Sequence, residues 1–391
     1  MTRILILGSG AREKVIREKL RCDAFILGST DFDEIKSFVI SESITLVIPS
    51  TEWYLCKGIK DFLETSAPGV KVFGPNKYQA QIEGSKLFSK ILMTNLKIPT
   101  APYYYVKNPD HFWVTEPLEN IVVKYCGLAN GKGVYLPRRS DSIREILTDL
   151  QKFGNDGFIV ENRYHGPEVS VMAFCNGKES FLMPQARDYK NIYDGNKGPN
   201  TGGMGSVCPL QELSDSETQV VKTHIDRVVR ELGYTGILYA GVIKTEDGPF
   251  FLEFNCRFGD PEAQSILNLL ESDLKQVILD CMDGLTPNIV WNDLKCITVV
   301  LSHNLYPENR LSTPVKIETQ SKLDASIKTY KSNVTTDTEG LEYTTGGRVM
   351  SLTCVDSTLE RARRNVYANI DKIQYEGVYY RKDIGRAETI F

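Results

Sequence analysis

Glu253 and Asn255, in the stretch FFLEFNCRFGDPEAQ, are two positions apart in a strand-like run and so put a carboxylate and an amide oxygen on one face. A hard cation such as Mg²⁺ takes oxygen ligands, often only one or two of them from protein, and leaves the rest to phosphates and water. A solvated edge strand would show the same alternation. Arg257, Gly259, Asp260, Pro261 and Glu262 follow at once, and a charge-dense turn after an apolar strand is where α/β enzymes place binding groups. Positive charge comes from VVKYCGLANGKGV, where Lys124 ends an apolar strand and Lys132 sits between Gly131 and Gly133, whose amides can approach phosphate oxygens. This is not a Walker A loop, because the spacing from Gly127 to Gly131 is wrong and Val134 stands where Ser or Thr is needed. A hairpin turn with a solvated lysine is the competing reading. Glu161 and Glu168, in GFIVENRYHGPE, flank a strand end; one of them suits a ribose hydroxyl, although surface carboxylates are the plainer explanation. Tyr193 to Pro209 holds five glycines and two prolines. Such a density predicts a loop whose backbone wraps a ligand rather than an ordinary turn.

These residues need elements to position them. Residues 1–82 alternate apolar runs (RILILG, AFILGS, ITLVIPS, KVFGP) with amphipathic stretches, which predicts a doubly wound parallel sheet. Its first turn, Gly8-Ser9-Gly10, resembles the start of a dinucleotide fingerprint, but Glu13 stands where the third glycine belongs. In QIEGSKLFSKILMTNLKIP, residues Leu87, Phe88, Ile91, Leu92 and Leu96 predict one apolar helix face ending before Pro99. Residues 83–290 form a second domain with a small lid at about 103–167, a hairpin around Asn176-Gly177, and a helix over Ala263 to Cys281. GLTP marks a boundary, and residues 291–391 read as a closing α+β domain. The predicted class is thus α/β and α+β multidomain. Of the 391 residues, 41% are hydrophobic and 25% charged, and the net charge of −4 excludes an electrostatic case for nucleic acid. The partners expected are small molecules. Nine cysteines without a CxxC pair suggest reduced, mostly buried thiols, and the absence of a signal-like or membrane-length apolar run suggests a cytoplasmic protein, a monomer or weak dimer.

The order of motifs is more specific than any one of them. EGSK (83–86), VVK (122–124), GLANGKG (127–133), KGPNTGGMG (197–205), EFNCRFGDPE (253–262), GGR (346–348) and RKDIG (381–385) together resemble the phosphoribosylamine-glycine ligase family, also called glycinamide ribonucleotide synthetases, of the ATP-grasp superfamily. The resemblance spans nearly the whole chain. It implies an N-terminal amine-substrate domain, an ATP-grasp domain with its lid, and a C-terminal domain. It also implies ATP-dependent joining of glycine to 5-phosphoribosylamine through glycyl phosphate, with Mg²⁺, or Mn²⁺ in its place. By this resemblance Lys86, Lys124, Gly131, Lys132, Gly133, Glu161 and Glu168 serve ATP, while Glu253 and Asn255 hold the metal. Lys132, Asp188, Lys190 and Arg257 carry the chemistry. Arg12, Glu52, Asn200, Thr201, Gly202, Gly203, Met204, Gly205, Asp260, Gly347 and Arg348 bind substrate.

The chain departs from the family pattern in one region above all. The family's Gly-Gly-Arg-Glu-His is Gly10-Ala11-Arg12-Glu13-Lys14 here, its Gly-Pro-Glu is Ser50-Thr51-Glu52, and a loop after the second strand is missing. The Ala-Asp that follows the ATP lysine is Tyr125-Cys126, and Asn191 replaces an Arg. Two further readings share these residues: a paralogous ATP-grasp carboxylate-amine ligase with another amine acceptor, and a nucleotide-binding protein without turnover. The presence of both metal-type ligands and of the Lys124 and Lys132 pair argues against the second.

Overall fold

A computed structural model describes residues 2–129, 131–308 and 311–386. At the N-terminus, parallel strands lie in the order Ala24–Leu27, Ile4–Leu7, Leu46–Pro49, Lys71–Val72. The two inner strands are wholly buried, as a parallel sheet covered on both faces requires, and their apolar runs were the signal for them. The helix Ala11–Lys19 leaves the first turn. There the Glu13 carboxylate accepts the Gly10 amide and the Ser50 hydroxyl, and a Cβ on Gly8 would lie 2.8 Å from the Glu13 side chain. The turn is filled by the chain's own carboxylate, and the dinucleotide likeness ends at Glu13.

An antiparallel sheet forms the centre: Glu168–Asn176 pairs with Ser180–Leu182 and with Thr235–Thr245, which pairs with Gly248–Asn255. It is backed by Asp215–Leu232, a helix with unambiguous ends. Ser214 and Glu217 make a capping box, and Gly233 closes it in the left-handed conformation at φ +59°. The lid is a second antiparallel sheet in the order Tyr103–Val106, Phe158–Asn162, Ile121–Tyr125, Val134–Tyr135, covered by the helix Ile143–Leu150. The closing sheet runs Arg187–Asp188, Gly205–Cys208, Lys295–His303, Arg348–Asp356, Ile327–Lys331, with the helix Leu359–Ile370 against it. Two of its strands therefore come from the middle of the chain.

Three expectations are corrected. The stretch Ala263 to Cys281 is two helical pieces rather than one, Glu262–Ile266 with a following 3₁₀ turn and Leu274–Met282, because Asp273 caps a new start by accepting the Lys275 amide at 2.9 Å. The helix Lys86–Asn95 packs Phe88 and Leu92, and Leu96 just beyond it, against the core as expected, but it also buries Ser89, Lys90 and Met93 and leaves Ile91 46% exposed. The glycine-rich segment is not one loop. Asn191–Tyr193 and Lys197–Asn200 form a two-stranded flap, a tight turn follows, and Gly205–Cys208 is already a buried strand of the closing sheet.

The flap is held from the far end of the chain. Arg381 is fully buried, donates to both Asp383 carboxylate oxygens at 2.8 and 2.7 Å, to the Asn191 carbonyl at 3.0 Å and to Asn196 Oδ1 at 2.9 Å, and its guanidinium stacks 5.1 Å from the Tyr189 ring centroid. Removing one partner of a buried ion pair leaves the other uncompensated, at a cost of about 3–5 kcal/mol. Arg381→Met is expected to lower the unfolding free energy by about that amount in urea titration, and to expose the backbone of 191–200 to hydrogen exchange before the rest of the chain.

Candidate active site

A cleft of about 1270 Å³ opens between the N-terminal sheet, the lid, the central sheet and the closing sheet. One ligand pocket usually measures roughly 300–1,000 Å³, so this cleft has room for more than one small molecule. At the lid end, Lys124 and Glu161 stand on neighbouring strands, 2.5 Å apart, and both are buried. Glu161 also pairs with Lys90 of the core helix, so it is engaged in two ion pairs rather than standing as an open strand-end carboxylate. Lys86 begins that helix, its ammonium 3.4 Å from the Gly127 carbonyl; burial pushes its pKa down, against the pull of Glu253. The loop between the two lid strands runs from 126 to 133 and is longer than a tight turn. Gly131, at φ +76°, passes close to the Thr201 carbonyl, and Lys132 donates to the Pro307 carbonyl at 2.6 Å. The absent side chain of Gly133 leaves room for Ala129.

Tyr125 and Cys126 do not line the cleft. Tyr125 turns into the lid core between Phe153 and Phe158 and donates to Asp156 at 2.5 Å. That departure from the family pattern belongs to the packing of the lid.

Glu253 and Asn255 share a face of Gly248–Asn255, and both line the cleft. Burial works against a charged Glu253, yet Lys190, Lys124, Lys86 and Arg257 overcome it and hold its carboxyl below the ordinary glutamate range. Among the described residues no donor is hydrogen-bonded to that carboxylate, and Asn255 Oδ1 receives only a long 3.4 Å contact from Arg257. An ionised carboxylate and a lightly engaged amide oxygen, with cations around them for phosphates, fit a hard divalent ion.

The floor holds Glu168, Lys190, Asp188 and Glu262. Lys190 and Glu168 pair at 3.0 Å, and each keeps the other charged: Lys190 lowers the Glu168 pKa and Glu168 raises that of Lys190 well above normal. Asp188 is the opposite case, raised well above normal by burial and by Glu262, and its Oδ1 is buried without a hydrogen-bond partner. Asn200, Thr201 and Gly202 line the cleft beside them. Thr201 donates through Oγ1 to the Lys190 carbonyl at 2.7 Å and accepts the Gly203 amide at 3.0 Å. Gly203, Met204 and Gly205 do not line it: Met204 is fully buried, and Gly205 pairs with Val299 in the closing sheet.

At the N-terminal side, Arg257 joins Glu52 at 3.1 Å to Glu83 at 2.8 Å, and Glu83 in turn accepts the Cys256 amide at 2.7 Å. Arg12 is buried and donates to the Phe258 carbonyl at 3.0 Å. Arg348 pairs with Asp260 at 3.0 Å and donates to the Gly202 carbonyl at 2.6 Å, while Gly347 takes φ +71° beside it. The Asp260 carboxyl, despite burial, is held low by Arg348 and Arg12. The cleft also contains Glu83 and Glu262, which lie inside the EGSK and EFNCRFGDPE motifs without an assigned role, and Lys90 and Tyr306, which the motifs did not single out. Lys90 had a signal, since it follows Lys86 by four residues and shares its helix face. Tyr306, whose hydroxyl accepts the Gly202 amide at 2.7 Å, had none.

Gly203 is at φ +106°, and a Cβ there would lie 2.6 Å from Asp188 Oδ1 and collide with Pro261. Displacing a reacting group by about 1 Å can cost about 100-fold in rate. Gly203→Ala is expected to reduce turnover at this cleft by about that factor with ligand affinity retained. Gly248→Ala, also at positive φ but with nothing within 4 Å, should cost stability alone, which thermal unfolding and steady-state kinetics would separate.

The phosphoribosylglycinamide synthetase family models match three successive parts of the chain: the N domain over residues 24–83, the ATP-grasp (A) domain over 84–263 and the C domain over 296–387. The phosphoribosylamine-glycine ligase of Caldanaerobacter subterraneus subsp. tengcongensis is 34% identical over 98% of this chain and 99% of its own length. The crystal structure of the phosphoribosylamine-glycine ligase of Thermotoga maritima superposes with a TM-score of 0.81 at 28% identity, over 98% of this chain and 100% of that one. The biotin carboxylase domain of Hydrogenobacter thermophilus 2-oxoglutarate carboxylase, crystallised with MgADP and bicarbonate, shares the fold alone, with a TM-score of 0.74 at 14% identity over 97% of this chain and 91% of that one. From the three matched domains and the full-length likeness, the chain belongs to the phosphoribosylglycinamide synthetase family.

Proposed function

We propose that this protein is an ATP-dependent ligase that joins glycine to 5-phosphoribosylamine, giving glycinamide ribonucleotide, ADP and phosphate in purine biosynthesis. A carboxylate oxygen of glycine attacks the γ-phosphorus, the bond to ADP breaks, and glycyl phosphate forms. The amine nitrogen of phosphoribosylamine then attacks the acyl carbon, the carbon–oxygen bond to phosphate breaks, and phosphate and a proton leave. The observation that carries this reading is that the lid cations, the Glu253 and Asn255 pair and the Thr201-Gly202 turn all open on one cleft large enough for several substrates. Phosphoryl transfer requires positioning and charge neutralisation more than covalent help, and Lys86, Lys124 and Lys132 suit that work. Glu253 and Asn255 would hold Mg²⁺, or Mn²⁺ in its place, which supplies further neutralisation of phosphate charge when bound. Asp188, Lys190 and Thr201 would orient glycine, with Gly202 close to the acyl group. Arg12, Glu52, Asp260, Gly347 and Arg348 suit the ribose phosphate, and Arg257 fixes the wall between the two ends. An acyl phosphate must be kept from water, and the lid loop that reaches Pro307 through Lys132 would close that path.

The test is ADP release with glycine and Mg²⁺, with and without freshly generated phosphoribosylamine, and identification of the product by mass spectrometry. Glycinamide ribonucleotide is expected at roughly 1 per second or faster, and EDTA should stop the reaction. Glu253→Gln, which removes the ligand charge and keeps the shape, should lower turnover by about 1,000-fold. Glycine-dependent ADP release without that product would move the acceptor to another amine. No glycine-dependent release at all would overturn the reading.

A further inference from the structure

We propose that Lys90 is a positioning residue for nucleotide binding: a core-borne ammonium that shares Glu161 with Lys124 and so leaves one net positive charge facing the lid end of the cleft. The two partners stand on lid strands, Lys124 on Ile121–Tyr125 and Glu161 on Phe158–Asn162, whereas Lys90 stands on the core helix Lys86–Asn95. All three are nearly inaccessible, at 2% for Lys90, 6% for Lys124 and 3% for Glu161. The carboxylate binds one ammonium through each oxygen, Lys124 through Oε1 and Lys90 through Oε2. Two ammoniums on one carboxylate leave an excess of one charge. Without Lys90 the group becomes a neutral one-to-one pair, and no excess positive charge remains to attract a phosphate.

Lys90 also stands at the joint between lid and core. It donates to Thr100 Oγ1 at 2.7 Å and to the Ala101 carbonyl at 3.3 Å, on the segment that leads into the lid strand Tyr103–Val106. Thr100 Oγ1 donates onward to the Phe251 carbonyl at 2.8 Å, and the Phe251 amide donates to the Pro99 carbonyl at 2.8 Å. Lys124 donates to the Leu252 carbonyl at 3.1 Å, next to Glu253. One ammonium therefore ties the entrance of the lid, Glu161 of the lid and, through Thr100, the strand of Glu253 and Asn255 into one unit. The groups facing it are Glu161 and Lys124 from the lid strands and the Tyr103 ring, whose centroid is 5.5 Å away. Burial lowers its pKa to about 8, against the pull of Glu161.

The inference rests on the proposed nucleotide end of the cleft, and its test is separable from that proposal. Lys90→Met and Lys90→Arg would be compared with wild type by MgADP calorimetry, by KM for ATP and for glycine, and by thermal unfolding. Lys90→Met is expected to raise the MgADP Kd and the ATP KM about tenfold or more, with glycine KM within about twofold, and Lys90→Arg to recover most of the loss. In wild type, ATP KM should rise as pH passes about 8 and Lys90 loses its proton, whereas the arginine variant should stay flat to pH 9. This arm stands even where Lys90→Met fails to fold. Equal effects on both substrates without rescue by arginine, or the same pH response in both proteins, would reduce Lys90 to a packing role and overturn the inference. Wild type that binds MgADP without making product would sink the ligase reading and leave the calorimetric test of Lys90 intact.

Discussion

Four groups of cations along the cleft are paired with carboxylates from other segments of the chain. Charge is expensive to bury unless it is paired and hydrogen-bonded, yet a site for a polyanion needs cations that stay ionised before the ligand arrives. Glu161 meets Lys90 and Lys124, Glu168 meets Lys190, Asp260 meets Arg348, and Glu52 with Glu83 meets Arg257. Because the partners come from the lid, the central sheet, the N-terminal domain and the closing sheet, the same ion pairs that preserve charge also fix how these parts meet. Glu253 stands apart, with cations around it and no hydrogen-bond donor on its carboxylate among the described residues.

The alternation of apolar runs and helices made the N-terminal parallel sheet legible, and period-two alternation made the strand of Glu253 and Asn255 legible. Local chemistry cannot reveal which polar residue a distant partner will bury. Lys90 follows this rule: apolar periodicity placed Ile91 inside, but Ile91 is exposed and the neighbouring Lys90 is buried against the Glu161 carboxylate. The glycine segment predicts a single ligand loop for a related reason. Gly203 and Gly205 are needed for close packing on Pro261, Asp188, Thr298 and Ile384, which lie far from them in sequence except for Asp188. A glycine that makes room for a neighbour and one that makes room for a ligand look alike in the chain.

The departures in the N-terminal domain become specific contacts. Ser50, where the family has glycine, donates to the Leu7 carbonyl at 2.8 Å and to Glu13, which holds the Gly10 amide. The Ala11 amide is taken by Ser332 at 3.2 Å, and Lys14 donates to the Lys331 carbonyl at 2.6 Å. The start of Ala11–Lys19 is thus tied to the end of the strand Ile327–Lys331, and the Gly10 and Ala11 amides already have partners. An anion binding through the Gly10 or Ala11 amide must displace these partners, which distinguishes this turn from a fully open helix N-terminus.

The closing sheet borrows the strand Gly205–Cys208 from mid-chain and pairs it with Lys295–His303, while Arg381 buries itself under the flap of 191–200. On the ribosome this means that the strand after Thr201-Gly202 emerges about ninety residues before its partner, and the flap nearly two hundred before Arg381. The growing chain carries that strand without its Lys295–His303 partner through this interval, and the Thr201-Gly202 side of the cleft is completed only once Arg381 has emerged. Separate expression of the first two domains would leave the strand without that partner permanently, so the carboxyl-terminal quarter works as the folding clamp of the site it helps to line.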